Sequence, residues 1–328
     1  MNTPLPVGIL IPTRNAAVLW RDHLPQLQQV LDVAEEVVVV DSESSDGTVE
    51  MFRSGLRHPR LRFFAQPPGL YASWNFGLSQ IRARHSYIAT AGDTTTPAGL
   101  RRLCELATQF EADVMLSVPG FLNDAGTPQP TKRWPLHDLL DDLKITAPAA
   151  MTRSQGFIAC VLQGASGIMG SSASNLYRTS VLQARPFATD FGHIGDTAWG
   201  AANAIGVRFA VTPEVCANFV LHEKARTLST EEHISIEDRL LAIARRSLQE
   251  ALASGSVPPD AAALENVFDR FAALRRDFRP AKDAYDTGRK QNPLWILQPS
   301  VWRARRERNR IRRALRALWH DTLRDIRF

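Results

Sequence analysis

Short apolar runs alternate with stretches of helical periodicity along the first 118 residues. Residues 7–11 and 37–40 are continuous apolar runs, which is typical of strands buried in a parallel sheet. Between these runs, apolar residues recur at helical spacing from Leu19 to Leu31. Further strands are predicted at residues 61–64, 87–91 and 114–118, and further helices at residues 48–57, around Leu78 and at residues 97–110. This order predicts an α/β fold with a mostly parallel sheet and helices on both faces.

The pattern changes twice after residue 118. Residues 119–170 are rich in proline, glycine and polar side chains, and we interpret them as an insertion that faces substrate. Strands are predicted again at residues 173–177, 207–211 and 217–221, with a helix after Asp196. Beyond residue 229 the chain reads as helical. We therefore predict one unit over residues 1–228, divided after residue 118, and a helical region over residues 229–328.

The composition is that of a soluble protein of a reducing compartment. Apolar residues make up 44% and charged residues 22% of the chain, which is ordinary for a protein with a buried core. The three cysteines are widely spaced and odd in number, so they predict neither a disulfide framework nor a metal cluster. The first residues lack the features of a signal peptide, and no run of about 18 apolar residues is present. We expect a cytoplasmic protein.

Residues 301–328 carry the net positive charge. They hold ten arginines and three acidic residues, whereas the whole chain has a net charge of +5. Ile311, Leu315 and Leu318 fall on one side of the predicted helix, a pattern typical of a helix lying on an anionic membrane surface, with Trp302 as an anchor. The same stripe also fits packing on the chain itself or on a second subunit in a homo-oligomer. We expect peripheral contact with the inner face of the plasma membrane, and no nucleic acid, because no nucleic-acid-binding fold accompanies the helix.

The ends of the predicted strands carry the candidate chemistry. In a parallel sheet, ligands bind beyond the carboxyl ends of the strands, which here means residues 12–15, Asp41 and residues 92–93. Residues 12–15 read Pro-Thr-Arg-Asn and lack the glycines of dinucleotide-binding and phosphate-binding loops. The Gly-x-Ser-x-Gly turn of α/β-hydrolases is absent as well. These three common functions of α/β proteins are therefore excluded.

Four segments, taken in order, resemble glycosyltransferase family 2, whose members have the GT-A fold. The segments read IPTRN, VVVVDSESSDGTVE, GLYASWNFGL and YIATAGDTTTP. The resemblance covers residues 7–100 well and residues 170–225 more loosely. It implies transfer of a sugar from a nucleoside diphosphate sugar, UDP-linked, to a glycan or a polyprenyl- or lipid-linked acceptor, as in bacterial surface-polysaccharide synthesis. It also implies that residues 1–118 bind the nucleotide sugar and residues 119–228 the acceptor.

The resemblance assigns the donor to residues at the strand ends and on the following helix. The predicted nucleotide-sugar-binding residues are Pro12, Thr13, Arg14, Asn15, Asp41, Tyr71, Asn75, Gly92 and Asp93. Thr13 and Asp41 would hold the base and ribose, since a carboxylate can accept hydrogen bonds from uracil or ribose donors. Tyr71 would stack on the donor and Asn75 would hydrogen-bond to it, whereas Trp74 fits the apolar face of a helix better.

Asp93 is where the sequence departs from the family pattern. The family commonly places Asp-x-Asp after the fourth strand to hold a divalent cation against the diphosphate, and Ala91 stands at the first of these positions. One carboxylate with phosphate oxygens can hold Mn²⁺ or Mg²⁺, so we expect weak or conditional metal binding. His222 is the second predicted metal ligand, because similar enzymes often have a histidine there. A turn aspartate and a surface histidine are the alternatives.

Asp196 is the predicted catalytic base. A sugar hydroxyl is a poor nucleophile until a base accepts its proton. The family places this base in a Glu-Asp or Gly-Asp pair that opens a helix, and HIGDTAWGAANA matches that pattern, which implies an inverting transfer. Asp196 can instead be only a helix cap. Because Ala91 removes one carboxylate, a degenerate GT-A fold that binds nucleotide or glycan without catalysis is the alternative function.

Overall fold

The computed structural model describes residues 3–162, 167–169, 172–221, 230–255, 261–291, 294–295 and 298–325. Its strands are β1 (Leu5–Thr13), β2 (Ala34–Asp41), β3 (Leu61–Ala65), β4 (His85–Ile88), β5 (Thr94–Thr95), β6 (Val114–Asn123), β7 (Ala149–Ala150), β8 (Asn175–Arg178) and β9 (Phe209–Leu221). They form one sheet in the order β3-β2-β1-β4-β8-β6-β9-β5, and β7 pairs with β9.

The helices cover both faces of this sheet, as predicted. They are α1 (Ala17–Arg21), α2 (Leu24–Leu31), α3 (Thr48–Gly55), α4 (Leu70–Gln80), α5 (Pro97–Gln109), α6 (Pro135–Leu143), α7 (Arg153–Val161), α8 (Thr179–Ala184), α9 (Gly195–Asn203), α10 (Thr230–Ala253), α11 (Ala261–Gln291) and α12 (Pro299–Asp325). Leu10 and Val38 pack in the core cluster that contains residues of α4, α7 and α9. Ile9 and Val39 pack in the cluster that contains residues of α2 and α5. Alternate residues of one strand therefore enter two cores, which explains the uninterrupted apolar runs.

The sheet is mixed rather than purely parallel: its longest pairings are parallel and its antiparallel pairings are short. β1 pairs in parallel with β2 and β4, β2 with β3, and β6 with β9. β8 lies antiparallel between β4 and β6, and β5 and β7 are antiparallel to β9. β8 runs backwards because the chain leaves β6 at the carboxyl edge of the sheet and enters β8 from that same edge. The carboxyl ends of β1, β2, β3, β4, β6 and β9 consequently lie along one edge, here called the rim.

Two strand boundaries differ from the prediction. Residues 89–91, predicted as strand, leave β4 and lead into a turn, while the strand begins at His85. The two strands predicted at residues 207–211 and 217–221 are one continuous strand, β9, whose pairing with β6 shifts register near Val118. A shift of this kind lets a long strand bend without breaking, so the polar residues between the two apolar runs stay within it.

The apolar stripe of α12 is buried within the chain. Ile311 and Leu318 are 1% and 3% exposed, and α12 packs along α11. The structure thus favours packing on the chain itself over direct insertion of this stripe into a membrane. Among the described helices, none has an apolar stretch long enough to cross a bilayer.

Candidate active site

Thr13 and Asp41 lie side by side at the rim. They are register partners at the ends of β1 and β2, and both are buried. The Asp41 carboxylate accepts hydrogen bonds from the Ser44 backbone N–H at 2.9 Å and the Ser44 hydroxyl at 2.5 Å. The Thr13 hydroxyl has no hydrogen-bond partner among the described residues. A buried hydroxyl without a hydrogen-bond partner is uncommon, so a ligand atom beside Thr13 would supply the hydrogen bond that this hydroxyl lacks.

The loops that follow β1 and β2 are fastened to each other. The Asn15 side-chain oxygen accepts a hydrogen bond from the Ser45 N–H at 2.8 Å, and Asn15 has a left-handed backbone with φ 47°. Asp46 accepts hydrogen bonds from the Thr48 hydroxyl and from the N–H groups of Ala17 and Thr48, and these bonds, first of all the one from the hydroxyl, lower its pKa. Between these loops, Pro12 is partly buried and the Arg14 side chain is exposed at the rim.

Asp93 ties the turn after β4 to the end of β9. Its carboxylate accepts hydrogen bonds from the Thr90 hydroxyl at 2.8 Å and from the Val220 N–H at 3.1 Å. Gly92 before it has φ 92°, a left-handed conformation that glycine adopts most easily. Because β9 runs parallel to β6, the Val220 contact places Asp93 at the same rim as Asp41.

Tyr71 and Asn75, both on α4, contact protein rather than open space. The Tyr71 ring packs against Trp74 and Phe187 with centroid separations of 4.9 and 5.5 Å, and the residue is 3% exposed. The Asn75 side chain donates to the Phe187 carbonyl at 2.8 Å and accepts from the Phe187 N–H at 2.9 Å. Trp74 lies in the core, in line with its helical spacing. These side chains hold the segment that leads into α9, and little of their surface is exposed for contact with a nucleotide sugar.

Asp196 is a buried carboxylate in the first turn of α9. It accepts a hydrogen bond from the Thr197 N–H at 2.6 Å, and the residue is 6% exposed. Burial raises its pKa to about 6, although the hydrogen bond from Thr197 and the neighbouring Tyr71 hydroxyl act in the opposite direction. A carboxylate with a pKa near 6 is ionised at neutral pH and binds a proton more tightly than an ordinary aspartate does. Asp190, five residues before the first residue of α9, is instead exposed and paired with Arg239.

Long-range hydrogen bonds join α4 to the end of β2 and to the turn before Asp196. The Ser42 and Ser73 hydroxyls lie 2.7 Å apart and join the end of β2 to α4. The Tyr71 hydroxyl donates to the His193 carbonyl at 3.1 Å and so joins α4 to the turn before Asp196. The sequence offered no signal for these contacts, because each joins residues far apart along the chain.

The metal prediction receives limited geometric support. His222 lies outside the described residues. Within the described ranges, no group of three histidine, cysteine, aspartate or glutamate side chains is arranged to hold a metal ion. Asp93 contributes one carboxylate, whose oxygens accept hydrogen bonds from the Thr90 hydroxyl and the Val220 N–H. The described donor set therefore fits a cation shared with substrate phosphates and does not fit one held by protein groups alone.

The chain was compared with known families and structures. A model of the family described as glycosyl transferase family 2 matches residues 9–161. S. aureus TarS, residues 1–349 in complex with UDP, superimposes with a TM-score of 0.52 at 17% identity, covering 96% of this chain and 91% of that one. The same TarS segment in complex with UDP-GlcNAc gives a TM-score of 0.52 at 17% identity, covering 98% and 92%. No curated protein matches the chain. At this identity the structural likeness concerns the fold. Residues 9–161 thus match glycosyl transferase family 2, and the fold of the chain is GT-A.

Proposed function

We propose that the protein transfers a sugar from a UDP-linked donor to a hydroxyl group of a glycan or lipid-linked acceptor, with inversion at the anomeric carbon. The observation that carries this proposal is the buried Asp196 carboxylate, joined by hydrogen-bonded elements to the rim that holds Thr13, Asp41 and Asp93. Perturbed carboxylates cluster at functional sites because catalysis needs them there. The match of residues 9–161 to glycosyl transferase family 2 supports glycosyl transfer, and the rim offers groups that can bind a nucleotide sugar.

The donor would lie across the ends of β1, β2 and β4. The buried Thr13 hydroxyl, which has no partner among the described residues, could hydrogen-bond to the nucleoside. The buried Asp41 carboxylate beside it retains lone pairs that can accept a hydrogen bond from the ribose or the base. Asp93, farther along the rim, would face the diphosphate. A divalent cation bound jointly by Asp93 and the diphosphate would offset the negative charge that develops on the leaving group. Such a cation would bind only together with the nucleotide.

Asp196 would act on the acceptor. Its ionised carboxylate would take the proton from the acceptor hydroxyl as that oxygen attacks the anomeric carbon. The bond between the anomeric carbon and the diphosphate oxygen breaks in the same step, and UDP leaves with the electron pair. Burial of Asp196 keeps water from this carboxylate and makes it a stronger proton acceptor than an exposed aspartate.

A second candidate function is nucleotide or glycan binding without transfer. Two observations favour it: Ala91 stands at the first acidic position, and both oxygens of Asp93 are engaged in hydrogen bonds to the protein. Asp93 would then be a structural residue of its turn. The two candidates differ in whether the purified protein cleaves a donor.

The experiment combines binding with turnover. Thermal unfolding is measured with a panel of nucleoside diphosphate sugars, with and without Mn²⁺, because a ligand of the native state raises its apparent stability. Release of UDP is then measured for each donor that binds. We expect stabilisation by UDP-linked donors, enhanced by Mn²⁺, and UDP release. If donors bind but UDP is released from none of them, either with a glycan acceptor or with water, the second candidate is favoured.

Tyr71→Phe should shift the pH profile of the reaction. Activity of the wild-type protein is expected to fall as the pH drops through about 6, where Asp196 takes up a proton. The Tyr71 hydroxyl favours the ionised form of Asp196, so its removal raises the Asp196 pKa and moves the acid limb of kcat/KM to higher pH. Tyr177→Phe is the matched control, since Tyr177 is also buried but is not among the groups that lower the Asp196 pKa. An acid limb that stays in place or moves to lower pH would exclude this role of Tyr71.

We also propose that the outer face of α12 contacts anionic lipid. Arg303, Arg306, Arg310 and Arg313 are exposed and spaced three or four positions apart, so they share one helix face. Trp302, 39% exposed, lies beside them and is suited to the membrane interface. Arg303→Gln/Arg306→Gln should weaken cosedimentation with phosphatidylglycerol vesicles, since each basic residue near such a surface contributes about 1 kcal/mol. Equal sedimentation of variant and wild type would refute this contact.

A further inference from the structure

A cavity of about 580 Å³ lies between α6, α11 and α12 and is called the α6–α12 cavity. Its volume is in the range of sites that hold small ligands, roughly 300–1,000 Å³. One wall, α6, comes from the predicted acceptor-binding half, and the other two come from the C-terminal helices. Neither Thr13, Asp41, Asp93 nor Asp196 lines it, so the proposed chemistry leaves this cavity unused.

The acidic side chains of the α6–α12 cavity are already paired. Asp138 and Asp141 both bind Arg133, with N–O distances of 2.9 and 2.5 Å. Asp142 accepts a hydrogen bond from the Trp319 indole nitrogen at 2.6 Å. These contacts fix the carboxylates, and Arg133 offsets about one of their three negative charges, while each keeps lone pairs that can accept from a hydroxyl group.

Two of the three arginines that line the cavity form no ion pair with a carboxylate of the described ranges. The third, Arg275, forms an ion pair with Glu237. Arg312 and Arg316 are exposed, one helical turn apart on α12, and neither forms an ion pair with a carboxylate in the described ranges. Guanidinium groups spaced by one turn project to the same side and bind carboxylate or phosphate groups through paired N–H donors. Arg133, Arg312 and Arg316 together balance the three carboxylates, so the cavity is close to neutral overall, and Arg312 and Arg316 are its two guanidinium groups that no carboxylate of the described ranges holds.

The rest of the lining is apolar and aromatic. Phe271, Leu315 and Trp319 contribute to it, and Trp319 is held in place by its bond to Asp142. Sugar rings combine hydroxyl groups with apolar C–H faces, so they match a wall that has fixed carboxylates beside apolar side chains. A lining of this kind, with two free arginines, suits a sugar chain that carries acidic groups.

The cavity lies within one helix length of the rim. Trp134, which precedes α6, has its ring centroid 5.4 Å from that of Phe219 on β9, and the next residue, Val220, hydrogen-bonds to Asp93. Asp141 is six residues into α6, or roughly 10 Å along the helix at 1.5 Å per residue. A short oligosaccharide can span this distance, so one acceptor chain can reach both places.

We propose that the α6–α12 cavity binds a phosphate- or carboxylate-bearing segment of the acceptor glycan, through Arg312 and Arg316, and holds the chain beside the rim. This site rests on the proposed function for its biological role, but its binding chemistry can be measured alone. It is distinct from the outer face of α12, because Arg303 and Arg306 lie on a different side of that helix.

Titration calorimetry tests the site with defined probes. The acidic probes are tetragalacturonate and phosphorylated maltotetraose, and maltotetraose is the neutral probe. The wild-type protein should bind at least one acidic probe about tenfold or more tightly than the neutral one, and Arg312→Gln/Arg316→Gln should weaken that binding by at least about tenfold. Arg303→Gln/Arg306→Gln removes the same charge from the same helix and should change it less than about twofold.

Each other result overturns the site. If no acidic probe binds better than maltotetraose, or if both double variants weaken binding equally, the arginines act only as a diffuse charge. If Arg312→Gln/Arg316→Gln abolishes cosedimentation with phosphatidylglycerol vesicles while acidic probes do not bind, the cavity serves a lipid headgroup. UDP release into water needs no acceptor and should be unchanged in this variant. A wild-type protein that releases UDP but binds no acidic probe better than maltotetraose would therefore refute this site alone, and a wild-type protein that binds the acidic probe but releases no UDP would refute the proposed transfer alone.

Discussion

Asp196→Asn is expected to lower kcat about a thousandfold and, at about pH 7.5, to increase the free energy of unfolding. The loss of activity follows because an amide cannot take the proton of the acceptor hydroxyl, and general-base catalysis contributes about 10²- to 10⁴-fold. The gain in stability follows from the pKa of Asp196, which burial raises from 3.8 to about 6. A group whose pKa is higher in the folded than in the unfolded state stabilises the fold when protonated and loses that contribution as the pH rises through the folded pKa.

At about pH 7.5 the buried Asp196 is ionised and lowers the stability of the wild-type protein. Asparagine keeps the shape and the contact with the Thr197 N–H but carries no charge. The difference between the pKa values corresponds to about 3 kcal/mol, so a gain of about 1–3 kcal/mol is expected. Because Asp196 is protonated at low pH, the gain should shrink when the pH falls to about 4.

Urea unfolding and UDP release, measured on the same preparations, check both effects. Asp190→Asn is the control, because Asp190 is exposed and paired with Arg239, so its replacement should neither stabilise the protein nor abolish turnover. An Asp196→Asn protein that is active and no more stable than wild type would show that Asp196 is only a helix cap.

Asp93→Asn is expected to lower kcat at least about a hundredfold with little change in stability. Asparagine can still accept the Val220 N–H and can donate its amide to the Thr90 hydroxyl, so both local contacts are retained. What is lost is the negative charge that would hold a cation against the diphosphate. Losing one group that stabilises transition-state charge costs about 10²–10³ in kcat.

The dependence of turnover on Mn²⁺ identifies the cause of that loss. In the Asp93→Asn protein, a much higher Mn²⁺ concentration should be needed for any remaining activity. Asp113→Asn is the control: Asp113 pairs with Arg178 just before β6, at the opposite edge of the sheet, and its loss should leave turnover and Mn²⁺ dependence unchanged. Normal kcat in the Asp93→Asn protein would make Asp93 a turn residue, as the second candidate function requires.

The sequence predicts the rim residues of the first two strands because local patterns specify them. Continuous apolar runs require burial on both faces, so the first polar residue after each run must emerge at the carboxyl edge of the sheet. Thr13 and Asp41 follow such runs, and the register of β1 with β2 places them side by side. The helical spacing of Trp74 likewise indicates the core, where the structure places it.

Contacts that depend on tertiary packing are not encoded locally. Tyr71 and Asn75 are polar residues at the start of a helix near the rim, which suggested direct contact with the donor. Folding instead brings Phe187 against both of them, so one ring and one amide group are used to position the segment before α9. The direction of β8 is also set by how residues 119–174 return to the sheet, and strand periodicity carries no information about direction.

A crystal structure with UDP and Mn²⁺ tests the central claim most directly, namely that the carboxyl edge of the sheet forms one nucleotide-sugar site. We expect the uridine between Thr13 and Asp41, with the Thr13 hydroxyl or the Asp41 carboxylate about 3 Å from a uracil or ribose atom. The diphosphate should lie beside Asp93, with Mn²⁺ between them, and open space for an acceptor should separate it from Asp196. UDP bound in the α6–α12 cavity or on the far edge of the sheet, with the rim left unchanged, would contradict this account.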